Sequence, residues 1–192
     1  MSRIDEAMRS VVREDFLPDG QKGSAGFDAA LPIGGGSTCS QPTTVRNMLE
    51  LLDPCPGDSV LDVGSGSGWT TAILAELVGD GTVTGVELLP DLVERSRETL
   101  RGRAVDNATI VQATEGVLGH PEGSPYDRIL VSADAEGSVP QELIDQLADG
   151  GVLVCPVDGM MTRVEKSAGG TGMVEVSEHG LYRFVPLVVR DH

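Results

Sequence analysis

Between Gln41 and Leu52 the apolar positions Val45, Met48, Leu49 and Leu52 recur at i, i+3, i+4 and i+7, the spacing of one helix face. Pro42 suits the first turn of that helix, and Pro54, Pro56 and Gly57 close it. Beyond Gly57 the pattern alternates between short apolar runs and helical periods. Ser59–Val63 predicts a strand and Trp69–Val78 a helix with Ala72, Ile73, Leu77 and Val78 along one stripe. Strand 82–86, helix 91–100, strand Ala108–Gln112 and strand 128–133 follow. Helix 138–148 carries a capping-box pair, Ser138 and Gln141, and strand 151–157 comes after it. This alternation predicts an α/β fold, a doubly wound and mostly parallel sheet. The tail reads differently. Runs 161–166, 173–177 and 182–189 are strand-like and joined by glycine-rich turns at 167–172 and 178–180, which predicts an antiparallel C-terminal edge on that sheet.

Upstream, Ile4, Met8, Val11 and Val12 fall near one face of a helix over 3–12. The stretch 18–36 has little periodicity and holds Asp-Gly, Lys-Gly and Gly-Gly-Gly; a linker and a functional lid are both open readings. A single domain over 1–192 is expected. Residues 1–56 form its N-terminal helical and loop region, 57–157 the cofactor-binding α/β core and 158–192 the β edge.

Charge narrows the partners. With 14 basic and 30 acidic residues the formal charge is −16, which argues against a phosphate-backbone footprint and so against nucleic acid. The acidity itself reads as a solvated surface. No apolar stretch is long enough to span a membrane. The first dozen residues carry acids and no apolar run, so no export leader is expected and the cytoplasm is the expected compartment. Cys39, Cys55 and Cys155 are scattered, as are His120, His179 and His192, so neither a metal site nor a disulfide framework is predicted. A monomer or weak oligomer is expected.

The candidate chemistry sits where a strand meets a helix, in LDVGSGSGW. Gly64, Gly66 and Gly68 permit a sharp turn and close approach of a ligand to the backbone. The following helix N-terminus offers unpaired N–H groups. A dinucleotide-binding turn spaces its glycines G-x-G-x-x-G, but the third glycine position is occupied here by Trp69. That disfavours a nicotinamide oxidoreductase. Glu87, roughly 20 residues beyond the glycines at the tip of the second strand, suits a ribose bound through both hydroxyls and repels a 2′-phosphate. The G-x-G-x-G turn preceded by Asp62 resembles the first motif of Rossmann-like methyltransferases. The resemblance implies S-adenosyl-L-methionine as cofactor, with Asp62 near its methionine end and Gly64, Ser65, Gly66 and Gly68 skirting the ribose.

Further segments resemble one family, the protein-L-isoaspartate (D-aspartate) O-methyltransferases. These are VREDFLP at 12–18, LPIGGGSTCSQPTTVRNMLELL at 31–52, SPYDRILVSADAEGSVPQELIDQLADGGVLVCPV at 124–157 and YRFVPLVV at 182–189. The resemblance covers nearly the whole chain in order. It implies methyl transfer to the α-carboxylate of isoaspartyl residues in damaged proteins and peptides, giving an ester that collapses to a succinimide and starts repair. It also implies that Ser40 and Thr38 are catalytic, orienting that carboxylate. Leu88, Glu115 and Gly116 would complete the cofactor set, with Glu115 near the adenine. Arg183 and Val185 would pair with substrate backbone at a sheet edge. Asp134 stands where the family carries a small residue, and there it would add a carboxylate beside a carboxylate-binding site. A different acceptor, or a cofactor-binding module without catalysis, are the competing readings.

Overall fold

The computed structural model describes residues 2–188. Its centre is a seven-stranded sheet in the order β5-β4-β3-β6-β7-β8-β9. The strands β3 (Ser59–Val63), β4 (Thr82–Glu87), β5 (Ala108–Gln112), β6 (Tyr126–Val131) and β7 (Leu147–Val157) run parallel. β8 (Met160–Lys166) and β9 (Val174–Leu181) continue the sheet antiparallel. The central parallel strands β3, β6 and β7 are buried on both faces, which is why they read as apolar runs: Val60, Leu61, Ile129, Leu130, Val131, Leu153 and Val154 are all inaccessible to solvent.

The helix α4 (Trp69–Val78) shows only a weak apolar stripe because it too is covered on both sides. The sheet lies beneath it, and α1 (Arg3–Ser10) packs on its outer surface. α1 opens with a capping box between Ser2 and Asp5 and holds on through Arg3, whose Nη2 donates to the Leu77 carbonyl at 2.9 Å. α3 (Pro42–Leu52) buries Val45, Met48, Leu49 and Leu52, the four positions its period singles out. α5 (Pro90–Gly102) packs against β4 and β5.

Three expectations change. The helix over 138–148 shrinks to α6 (Gln141–Asp145), and its capping box does not form. Pro140 takes the N-cap position, while the Gln141 amide donates to Asp145 Oδ1 at 2.8 Å. The helix stops because Gln146 turns back: its amide donates to the carbonyls of Leu118 and Glu142, and β7 starts one residue later. The turn expected at 178–180 is absent, and β9 runs through it to Leu181. The third tail strand, 182–189, is not a strand through residue 188, and residue 189 lies outside the described residues. The chain there leaves the sheet edge and doubles back over the end of β6. Asp134 N donates to the Val185 carbonyl, and Leu187 N donates to the Asp134 carbonyl, each at 2.8 Å.

The aperiodic stretch before α3 is built structure. A short helix, α2 (Asp19–Lys22), leads to a hairpin of β1 (Leu31–Gly34) and β2 (Ser37–Cys39). One buried cation organises it. The Arg13 guanidinium donates from Nη1 to the carbonyls of Ala25 and Phe27, and from Nη2 to those of Ala29, Cys39 and Ser40, at 2.8–3.2 Å. It also lies 5.2 Å from the Trp69 ring centre. Trp69 Nε1 in turn donates to the Val11 carbonyl at 3.1 Å. Arg13→Met leaves five carbonyls short of a donor, and Lys cannot replace a planar five-donor fork. Urea denaturation should therefore show Arg13→Met less stable by about 2–4 kcal/mol, with Arg13→Lys recovering only a small part. A loss within experimental error in both variants would contradict this role.

Candidate functional site

The site forms where the parallel strands end at their carboxyl edge, the place where open α/β sheets bind ligands. In sheet order, the loop after β5 carries Thr114 to Gly119, β4 ends in Glu87, β3 ends in the glycine turn, and β6 ends in Ser132 and Ala133. The returning tail lies beyond β6. Together these enclose a cleft of about 1170 Å³, with the β1–β2 hairpin and the start of α3 as a further wall. It is mostly apolar with a few convergent polar groups, as ligand sites are.

The glycine turn needs its glycines. Gly64, Gly66 and Gly68 have φ of +78°, +55° and +83°, in the left-handed region where a side chain is strained. At Gly66 a Cβ would also press within 3.3 Å of Ile33 Cδ1 on the hairpin. Glu87 is almost fully buried and ties the turn to the next loop: Oε2 accepts from Gly66 N at 2.8 Å and Oε1 from Leu89 N at 2.9 Å. Each oxygen keeps a further acceptor site, and the side chain lines the cleft, so a ribose diol can still be received. Gln112 braces this wall by donating to the Glu87 and Leu88 carbonyls.

Asp62 stands underneath. It is inaccessible to solvent and does not line the cleft; Oδ2 accepts from Thr71 Oγ1 at 2.6 Å, while Oδ1 has no partner. Burial raises its pKa to about 6; the Thr71 hydrogen bond opposes this, and the nearby Glu87 charge adds to it. Ser65 Oγ is likewise buried and unpartnered. Ser65 is also one of the residues around a small polar void of about 30 Å³, together with Thr38, Ser40, Ser67 and Ser132. That is room for one water or one small polar group. The glycine cradle, the ribose-sized acceptor pair and these orphaned polar atoms fit an adenosine cofactor with a polar amino-acid end.

The wall formed by the hairpin carries hydroxyls. Thr38 and Ser40 both line the cleft, and no hydrogen bond holds either side chain among the described residues. Ser40 caps no helix, since Gln41 is the N-cap of α3 and uses no side-chain bond. The Ser40 backbone is nevertheless fixed, by Arg13 at its carbonyl. The hairpin is held at its other strand by Arg95, which donates to the Ile33 carbonyl at 2.7 Å.

Of the residues singled out in sequence, Thr38, Ser40, Gly64, Gly66, Glu87, Leu88, Glu115, Arg183 and Val185 meet in this one cleft. Asp62 and Ser65 lie beneath it. Gly68 is the N-cap of α4 and packs on Ser96 rather than facing the cleft. Gly116, at φ +70°, shapes the loop after β5 without lining the cleft. The Asp134 carboxylate is not in the cleft at all: Oδ1 accepts from Gly159 N at 3.0 Å, joining β6 to the β7–β8 turn. Arg183 and Val185 line the cleft from the returning segment, where the Val185 carbonyl accepts from Asp134 N. Sequence reasoning missed Arg13 and Arg95, because each stands beside acids in the sequence, Glu14 and Asp15 or Glu94 and Glu98, and nothing local marks it as a partner of distant carbonyls. It also missed Gln112 and Ser132, which follow directly from their places at strand ends.

Comparison with known proteins gives a consistent picture. A family model described as protein-L-isoaspartate(D-aspartate) O-methyltransferase matches residues 1–192. A protein-L-isoaspartate O-methyltransferase from Methanopyrus kandleri is 44% identical over 192 residues, covering 97% of this chain and 84% of that protein. Protein-L-isoaspartate O-methyltransferase 2 of Archaeoglobus fulgidus is 40% identical over 187 residues, covering 96% and 84%. Among solved structures, a protein-L-isoaspartate O-methyltransferase superposes with a TM-score of 0.88 at 26% identity; it covers 98% of this chain, which spans 62% of that one. A Plasmodium falciparum structure described as the same enzyme, in complex with S-adenosyl-L-homocysteine, gives 0.85 at 25% identity, covering 99% and 92%.

Asp62 generates a prediction for the ligand-free chain. Its folded pKa lies above the usual carboxylate value of 3.8. Its contribution to stability is therefore fully present below about pH 4 and is lost as pH rises through about 6. The loss amounts to up to about 3 kcal/mol. Denaturation curves between pH 4 and 7 should show that decline in the parent and a flatter profile in Asp62→Asn. Parallel profiles would remove Asp62 as its source.

Proposed function

The chain belongs to the protein-L-isoaspartate(D-aspartate) O-methyltransferase family, and we propose that it methylates the α-carboxylate of isoaspartyl residues using the cleft at the carboxyl edge of its sheet. It is an S-adenosyl-L-methionine-dependent carboxyl O-methyltransferase that acts on isoaspartyl-containing proteins and peptides. D-aspartyl residues are further acceptors. The observation that carries this reading is the pair of unengaged hydroxyls, Thr38 and Ser40, facing the same cleft as the glycine cradle and Glu87.

S-adenosyl-L-methionine, when bound, supplies a methyl group already activated on a sulfonium. The residues that would hold it are Gly64 and Gly66 with their backbone, Glu87 for the ribose, and Leu88 with Glu115 on the adenine side. Asp62 and Ser65 act from beneath, where their orphaned oxygens favour a cationic or donor group above them. The isoaspartyl α-carboxylate, with an ordinary pKa of about 3.5, is ionised at neutral pH, so no general base is required. The protein's task is to orient that carboxylate and exclude water. Thr38 and Ser40 do this with neutral donors. A fixed cation would quench the nucleophile more strongly, and Arg13, the nearest organising cation, spends its donors on carbonyls instead.

The clamp between Asp134 and Gly159 N removes the objection that an extra carboxylate repels the substrate, since that group is turned away and used in the fold. No described helix is long and apolar enough to cross a membrane. A soluble cytoplasmic enzyme, monomeric or weakly associating and without a nucleic-acid partner, accords with the acidic surface.

Labelled methyl transfer tests the activity: base-labile label should appear on an isoaspartyl peptide and not on its normal aspartyl counterpart. Label on neither, with the cofactor tightly bound, would overturn the assignment. Ser40→Ala should lower single-turnover methylation about 10- to 100-fold, the worth of a hydrogen bond to a charged group, while calorimetry shows cofactor affinity little changed. Equal losses in both would assign Ser40 to cofactor binding instead.

A further inference from the structure

The chain carries 14 basic residues against 30 acidic ones. Nearly all of its described cations are committed. Arg3, Arg95 and Lys166 are spent on backbone carbonyls, and Arg46, Arg103 and Arg128 on carboxylates. Arg13 serves five carbonyls, and the others, Arg9 included, likewise have partners. Arg183 is the exception. Among the described residues it is the one basic side chain with neither a hydrogen bond nor an ion pair. It is exposed, and among the described residues it is the only basic one lining the cleft.

Its backbone, by contrast, is held on both sides. Tyr182 N donates to the Gly159 carbonyl at 2.8 Å, and the Tyr182 hydroxyl accepts from Asn47 at 2.9 Å. Two residues further on, the Val185 carbonyl accepts from Asp134 N at 2.8 Å. Phe184 packs against the core between them. A guanidinium without a structural partner is thus presented at a fixed place on the rim. The segment lies beyond β6, away from the Glu87 and Glu115 loops in sheet order. The cleft is therefore polarised, with carboxylates toward β4 and β5 and a lone cation on the acceptor side.

Resting on the isoaspartyl reading above, we propose that Arg183 is a specificity-determining residue that favours substrates with an acidic side chain next to the isoaspartyl residue. A guanidinium matches a carboxylate in shape and charge. The net negative charge of the chain opposes the approach of such a peptide, but that field is screened over about 8 Å at physiological ionic strength. Arg183 acts at contact and so sets the preference once the peptide is seated.

The test uses isoaspartyl peptides of one length with Glu, Gln or Lys on either side of the isoaspartyl residue. Methyl transfer is followed in the full chain and in Arg183→Gln and Arg183→Glu. Peptide binding in the presence of S-adenosyl-L-homocysteine is read by fluorescence anisotropy. The parent should bind the Glu peptide about three- to fivefold better than the Gln peptide, a difference carried in KM and reduced by salt. Arg183→Gln should lose this ranking, and Arg183→Glu should reverse it in favour of Lys. The same ranking in all three proteins would overturn the proposal. So would an equal drop for every peptide, which would place Arg183 on the reacting carboxylate. Methylation of no isoaspartyl peptide by the parent is a separate outcome: it would overturn the isoaspartyl assignment and this inference with it.

Discussion

The site depends on a cation buried where no acid meets it. Arg13 sits under the N-terminal layer and draws five carbonyls from two separate segments onto one plane. Those carbonyls belong to a stretch without apolar periodicity, which could not find a single conformation by burying side chains alone. Its order comes instead from satisfying backbone acceptors that would otherwise be buried and unpaired. The same guanidinium lies against Trp69, the first residue of the helix that follows the glycine turn. One side chain therefore links the strand-turn-helix that receives the cofactor to the hairpin that presents Thr38 and Ser40.

The cofactor half is held by a different kind of force. Glu87 uses its two oxygens to join the glycine turn to the loop after β4, so the cradle is closed by a charge-assisted pair of backbone bonds. Asp62 shows what this arrangement costs. A carboxylate is kept in the interior with one oxygen unpaired, next to a second acid, and its pKa rises accordingly. Such unsatisfied groups are expected where a fold gives up stability to keep a ligand site ready.

Much of this was legible in the sequence, for identifiable reasons. Apart from α6 and the early start of β7, the helices and strands from α3 to β7 follow from periodicity, because their burial is set by one sheet and its covering layers. The glycine turn and Glu87 follow from spacing along a strand-turn-helix. The misreadings share a cause, which is a hydrogen bond to a residue far along the chain. Gln146 ends α6 early by bonding to Leu118, and Asp134 draws the tail off the sheet edge through its backbone. Neither event leaves a local pattern. The hairpin before α3 was hidden for the same reason, since what orders it is an arginine more than ten residues upstream. Asp134 looked like a fault in the site from its position after β6, and only its partner Gly159 N shows where the carboxylate goes.

The doubled-back tail has a further consequence. The residues proposed to face the acceptor come from the two flanks of the chain, 38–40 before the α/β core and 183–185 after it, whereas the glycine cradle and Glu87 lie wholly between them. Each flank is held at its main-chain groups, the hairpin at its carbonyls by Arg13 and Arg95 and the tail by backbone bonds to Asp134 and Gly159, and these bonds do not read the side chains of the residues they hold. Inheritance can then act on the two halves separately. Substitutions in the flanks can retune which acceptor is taken while the methyl-donor machinery passes unaltered to descendants, so the architecture is modular in evolution although it is continuous in space.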